Sequence, residues 1–251
     1  FKRGSMARFD RDYPKGTHRV DIYADQAVRF LREQGDQPFF MQMAFYSVHT
    51  PLQPVKEMAD KYAETGLNAT YASMVEKMDE GIGKILDELD ALGLRERTLI
   101  VFSSDNGGIR KISKQDPYRS GKGSYFEGGI RVPLLVSWKG QVELNSSCET
   151  PVTGLDFYPT FLEAAGLPIP EGKQLDGHSL MPLLTQEGDF PERALFWHFP
   201  VYLQQYSNED DSHDPLFRTR PGSAIRMGKW KLHEYFEDGR LELYDLDTDT
   251  G

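Results

Sequence analysis

Four residues of this chain have types and settings that could do chemistry: His49, Asp105, Asn106 and Lys122. Asp105 and Asn106 sit in "SSDNGG", directly after the apolar run "TLIVF". Carboxylate and amide oxygens are hard donors that suit Ca²⁺ or Mg²⁺ far better than a soft metal. Lys122 lies between two glycines in "RSGKGSYFEGGIRVP". Glycine lets backbone approach a ligand closely, and an ammonium there is a point charge suited to a tetrahedral oxyanion. His49 follows the apolar run "PFFMQMAFY", and an imidazole can give or take a proton near neutral pH. Each residue also has a plainer reading. "DNGG" is ordinary turn chemistry, a lone His after a strand is usually hydrogen-bonded in place, and a turn lysine is usually solvated. The order G-x-x-x-x-G-K-[ST] is missing, so the lysine block is not a P-loop.

The elements that must position these residues follow from periodicity. "DIYADQAVRFLREQG" places Ile22, Ala27, Phe30 and Leu31 on one helical face, with Gly35 at the stop. Pro38–Tyr46 is almost continuously apolar, which predicts a strand covered on both faces. Tyr71 to Leu92 keeps apolar residues at helical spacing before Gly93. "TLIVF" and Val132–Trp138 predict two more strands, and Leu155–Ala165 a further helix. Strands alternating with helices predict an α/β fold, in which ligands gather beyond the carboxyl ends of strands. His49 and the Asp105–Asn106 pair both fall at such ends. After Gly166 the pattern changes to Pro- and Gly-punctuated loops, then to short strands in "RALFWHF", "AIRMGKWKLHEYF" and "RLELYDL". These predict a smaller antiparallel sheet, so the expected division is 1–166 and 167–251. Residues 207–222 are polar enough to predict a mobile loop.

Composition narrows the function classes. The 251 residues are 39% hydrophobic and 12% aromatic, as in a folded globular protein. A net charge of -10 and a pI near 5.1 argue against a nucleic-acid partner. No apolar run approaches the roughly 20 residues needed to span a bilayer. The single cysteine, Cys148, excludes an intrachain disulfide framework, and its neighbours Ser147 and Glu149 offer nothing to make a thiolate. Glycosylation-type triplets at Asn68 and Asn145 are too short to carry weight.

Taken in order, "HTP", "SSDNGG" and "RSGKGSYFEGGIRVP", followed by "GLDFYPTFLEAAGLPIP" and "LDGHSLMPLL", resemble the sulfatase family of the alkaline-phosphatase-like superfamily. The resemblance runs from about Asp21 to the "LYDLDTD" end. It implies a mixed sheet flanked by helices with a smaller C-terminal antiparallel unit. It further implies that Asp105 and Asn106 ligate Ca²⁺, with Mg²⁺ as the alternative, and that His49 and Lys122 hold the sulfate group near its leaving oxygen. His198, between aromatics in "FWHFP", is a candidate to line a substrate subsite, and His178 to stabilise its turn. Glu127 and Arg131, four apart in "EGGIR", are expected to brace each other.

One departure stands beside these matches. The resemblance implies a formylglycine made within C/S-x-P/A-x-R, and no such segment occurs here. The chain starts without Met and stops within recognisable sequence, so the expectation is the later half of a sulfatase, inactive alone, with the nucleophile in a missing N-terminal part. A sulfated small molecule or glycan is the expected substrate, and self-association through a truncated sheet is expected of the isolated piece. The alternatives are a phosphate or phosphonate ester hydrolase of the same superfamily and a non-catalytic binding protein on this scaffold. Family analogy points to a periplasmic, extracellular or lysosomal setting.

Overall fold

The computed structural model describes residues 12–204 and 216–250. The chain divides into two compact units, one ending at Arg97 and the other beginning at Thr98. No helix among the described residues is long and apolar enough to cross a membrane.

The first unit is helical. Helix α1 (Arg19–Gln34) is capped by His18, whose ring nitrogen accepts from the Val20 amide; α2 (Lys56–Lys61) is short. Helix α3 (Ala69–Ala91) is capped by Asn68, whose side-chain oxygen accepts from the Tyr71 amide at 3.1 Å. Of the predicted face of α1, Ile22, Ala27 and Leu31 are buried and Phe30 is half-buried; Val20 and Ala24 are buried as well, and on α3 Met74, Ile85 and Leu89 are buried. Burying each large apolar side chain contributes about 1.5–3 kcal/mol. Asp21 of α1 pairs with Lys77 and Lys84 of α3 at 2.8 and 3.1 Å.

The strand expected over Pro38–Tyr46 is not formed. Residues 38–46 carry no ladder, and burial alternates: Phe39, Met41, Met43 and Phe45 are half-buried while Phe40, Gln42 and Ala44 are exposed. Phe39 meets Phe30 edge-on at 5.9 Å and Phe45 meets Tyr23 at 6.1 Å, so helix α1 covers one side of the extended segment. A continuous apolar run does not tell one covered face from two.

In the second unit, β1 (Ile100–Ser103) pairs antiparallel with β2 (Leu134–Ser137). Both predicted strands are formed, and their residues are half-buried or exposed. Between them lie the "DNGG" and "GKG" loops and the single-turn α4 (Glu127–Ile130). After β2, a 3₁₀ turn (Gly154–Asp156) runs into α5 (Phe157–Ala164), and α6 (Met181–Thr185) follows. Buried Asp156 ties this passage together. Its carboxylate accepts from the amides of Thr153 at 2.7 Å and His178 at 2.9 Å and from the Arg193 guanidinium, one bond of which measures 2.7 Å. Through that amide His178 does fix a turn, with its backbone and not its ring.

Beyond Arg193, β3 (Ala194–Phe199), β6 (Gly222–Met227), β7 (Trp230–Tyr235) and β8 (Leu241–Asp245) form the expected antiparallel sheet in the order β3-β6-β7-β8. A second small ladder joins β4 (Leu203–Gln204) to β5 (Phe217–Thr219). Of the expected mobile loop, residues 207–215 lie outside the described residues, while 217–219 and 222 are in strands. The fold class is α/β, as expected, and every ladder among the described residues is antiparallel.

Candidate functional site

The loop after β1 is built by short polar bonds. The Ser103 hydroxyl donates to Pro133 O at 3.1 Å, tying the loop's start to the approach of β2. The Ser104 hydroxyl donates to Asn106 O at 3.0 Å. The Asn106 side-chain nitrogen donates to Gly107 O at 3.0 Å, so its amide oxygen, the atom a hard cation takes, is the end left over. Asp105 is exposed, and its carboxylate has no hydrogen-bond or ion-pair partner among the described residues.

This loop interlocks with the lysine loop through main chain. Lys122 N donates to Gly108 O at 2.8 Å, and Gly107 N donates to Gly129 O at 2.9 Å. The glycines are required by proximity. A Cβ on Gly107 would lie 1.8 Å from Gly128 O, and one on Gly121 would lie 2.5 Å from Gly108 O. The structure therefore brings the Asp105–Asn106 turn and Lys122 together at the level of their backbones. Among the described residues, no group of three or more His, Cys, Asp and Glu gathers as a metal cage. The oxygen donors that are present, one carboxylate and one amide, suit a hard cation that takes its remaining ligands elsewhere.

His49 lies in the first unit and is exposed. Its main-chain N–H donates to Tyr46 O at 2.9 Å, and its Nδ1 lies 2.7 Å from Thr50 O. A carbonyl oxygen only accepts, so in that contact the proton is on Nδ1. His198, exposed on β3, has Nδ1 2.8 Å from the Ser223 hydroxyl and its ring against Phe236 at 5.7 Å. It pairs in register with Ser223, whereas Trp197, one residue earlier, lies over Lys231 on the other side of the sheet.

Two residues that sequence reasoning passes over, Lys231 and Arg226, meet the lysine loop at Glu127. Glu127 is buried, and Arg131 stands 3.9 Å from it, so the expected brace is present but weak. Its main partner is the Lys231 ammonium at 2.8 Å, with Arg226 at 3.6 Å. Burial pushes the Lys231 ammonium below its ordinary range, against the pull of Glu127. The signal for this pair was a lysine and a histidine at alternate positions of "WKLHEY", where one strand face would normally be solvated.

Comparison with known proteins gives a consistent picture. Residues 5–167 match the Sulfatase family, and residues 121–251 match "N-sulphoglucosamine sulphohydrolase, C-terminal". The chain is 35% identical over 260 residues to a sulfatase of Formosa agariphila, covering 93% of this chain and 45% of that protein. It is 35% identical over 211 residues to the steryl-sulfatase of Mus musculus, covering 80% of this chain and 32% of that one. Among solved structures, Ps i-CgsB superposes with a TM-score of 0.77 at 31% identity, over 92% of this chain and 49% of that chain; it has also been solved with k-i-k-neocarrahexaose. The chain thus spans less than half the length of these relatives.

Proposed function

The chain belongs to the sulfatase family, and from that premise we propose that the protein hydrolyses sulfate esters, with a carbohydrate sulfate as the substrate class. The observation that supports this reading is the main-chain interlock of the two loops, which joins the backbone that follows the Asp105–Asn106 turn to that of the glycine-flanked Lys122. The sugar assignment is supported by the oligosaccharide named with Ps i-CgsB, although the similarity to a steryl-sulfatase keeps an apolar alcohol as the competing leaving group.

Hydrolysis of a sulfate ester places negative charge on the sulfuryl oxygens and on the departing alkoxide, so cationic groups gain strength toward the transition state. In this reading Asp105 and Asn106 would hold Ca²⁺, or Mg²⁺ in its place, which would supply positive charge near the sulfuryl oxygens, and a formylglycine outside these 251 residues would supply the nucleophile. Lys122 binds the sulfuryl oxygens by charge. His49 donates its Nε2 proton to the leaving oxygen.

The test is turnover of a sulfate ester against a phosphonate monoester, measured on protein that carries these residues together with a C/S-x-P/A-x-R segment. Turnover of the sulfate ester is expected, with loss on chelation and with weakened Ca²⁺ response in Asp105→Ala. Preference for the phosphonate, or turnover indifferent to chelation, would overturn the reading. His49→Ala should lower turnover of an unactivated alkyl or sugar sulfate by about 10²-fold or more, and far less for a nitrophenyl sulfate whose leaving group needs no proton. Equal losses on both esters would remove the acid role from His49.

A further inference from the structure

Three consecutive residues of the lysine loop, Tyr125, Phe126 and Glu127, are each held by the four-stranded sheet through a different interaction. The Tyr125 hydroxyl lies 2.9 Å from the carbonyl oxygens of both Phe199 and Gly222, at the end of β3 and the start of β6, which share its one proton. Phe126 is edge-on to His233 at 5.1 Å and to Tyr244 at 5.8 Å, with the Arg119 guanidinium 4.3 Å over its ring. Glu127, 3% exposed, accepts from Lys231, 1% exposed, at 2.8 Å across 104 residues of sequence. The Trp197 ring lies 5.7 Å from the same ammonium. At its other end the loop is tied by the Lys122 N–Gly108 O and Gly107 N–Gly129 O bonds.

The aromatic contacts keep loop and sheet together, but ring packing tolerates sliding. The ion pair is different in kind. A buried pair of charges is rarely worth more than apolar residues of the same volume, and its best-attested use is to specify register. Here the carboxylate sits on the first residue of α4, five positions after Lys122, and the ammonium on a central strand of the sheet. We propose that the Glu127–Lys231 pair is a positioning device that sets the register of the Lys122 loop against strand β7, and that the C-terminal sheet thereby serves the sulfate-binding lysine. Glu127 touches no reacting atom in this scheme; it acts through Lys122. The proposal rests on the sulfatase reading for its catalytic consequence and on the loop geometry alone for its structural one.

Two measurements separate those parts. In kinetics, Glu127→Gln should lower kcat/KM for a sulfate ester by about 10-fold or more in the otherwise unchanged protein, as expected when a catalytic group shifts by a fraction of an ångström. In a Lys122→Ala background the same substitution should cost less than about 2-fold, because residues that act through one another are not additive. Independent, additive losses in the two backgrounds would reduce the pair to general stability and overturn the proposal, as would unchanged kcat/KM. In hydrogen exchange, Glu127→Gln should speed exchange of the amides of residues 121–129 while α3 keeps its protection. Unchanged protection of that loop would overturn the clamp even if no sulfate ester is turned over, an outcome that would separately sink the sulfatase reading. Lys231→Arg, which keeps the charge and lengthens the arm, should fold where Glu127→Gln does not and show the same selective loss.

Discussion

Lys122→Ala should lower kcat/KM for a sulfate ester by on the order of 10²–10³-fold, the loss seen when one donor to a developing oxyanion is removed. The size follows from differential charge. The sulfuryl oxygens gain negative charge as the ester bond breaks, so an ammonium beside them contributes more to the transition state than to the bound substrate. The substitution leaves the main-chain tie of the loop in place. Lys122 joins the two loops through its main-chain N–H to Gly108 O, and alanine keeps that bond. Loss of activity with an unchanged fold would therefore belong to the ammonium. Lys122→Arg should recover only part of the rate, because a planar fork does not reproduce a compact point charge in a turn shaped by glycines. Steady-state kinetics on both variants, with circular dichroism as the control for folding, gives the answer. Wild-type kcat/KM in Lys122→Ala would remove the residue from the sulfate site.

Much of the architecture is legible in the sequence because it is written in local periods. The Tyr71–Leu92 helix is observed as Ala69–Ala91, and the short strands read in "AIRMGKWKLHEYF" are observed as β6 and β7. The approach of the two loops is legible for a related reason: glycines cluster where backbones must touch, and Gly107 and Gly121 do so within the two loops. What escaped is long-range. The 38–46 segment has a strand's composition, but only helix α1 covers it. In "WKLHEY" a hydrophobic reading would bury Trp230 and Leu232, yet Lys231, His233 and Tyr235 are the buried ones and Trp230 is 47% exposed. The inversion has a cause no local window contains. The sheet faces Glu127, a carboxylate more than a hundred residues away, and a buried carboxylate must be met by a cation.

Asp156→Asn should be the most destabilising conservative change in the second unit, costing about 3–5 kcal/mol at neutral pH, the penalty for leaving one member of a buried ion pair without its partner. Asp156 is fully buried, and Arg193 is 14% exposed on the side chain, so solvent screens the pair little. The amide that replaces the carboxylate can no longer accept from Thr153, His178 and both guanidinium nitrogens at once. The pH dependence gives a second, independent signature. Burial alone would push the Asp156 carboxyl up, but the Arg193 hydrogen bonds and the Thr153 and His178 amides outweigh it and hold the carboxyl below its ordinary range. A carboxyl whose folded pKa is depressed contributes stability that is fully present above its unfolded value, about 3.9, and is lost as pH falls through the lower folded value. The gap in melting temperature between wild type and Asp156→Asn should therefore be widest near pH 7, on the order of 10 °C for a chain of this size. It should close as the pH drops below about 4, because the wild type then loses the same interaction by protonation. Calorimetric scans of both proteins from pH 7 to pH 3 measure it directly. A gap that stays constant across that range would show that Asp156 matters through shape and packing, and that its charge does not hold the "DGHSL" turn and the entry to β3 in place.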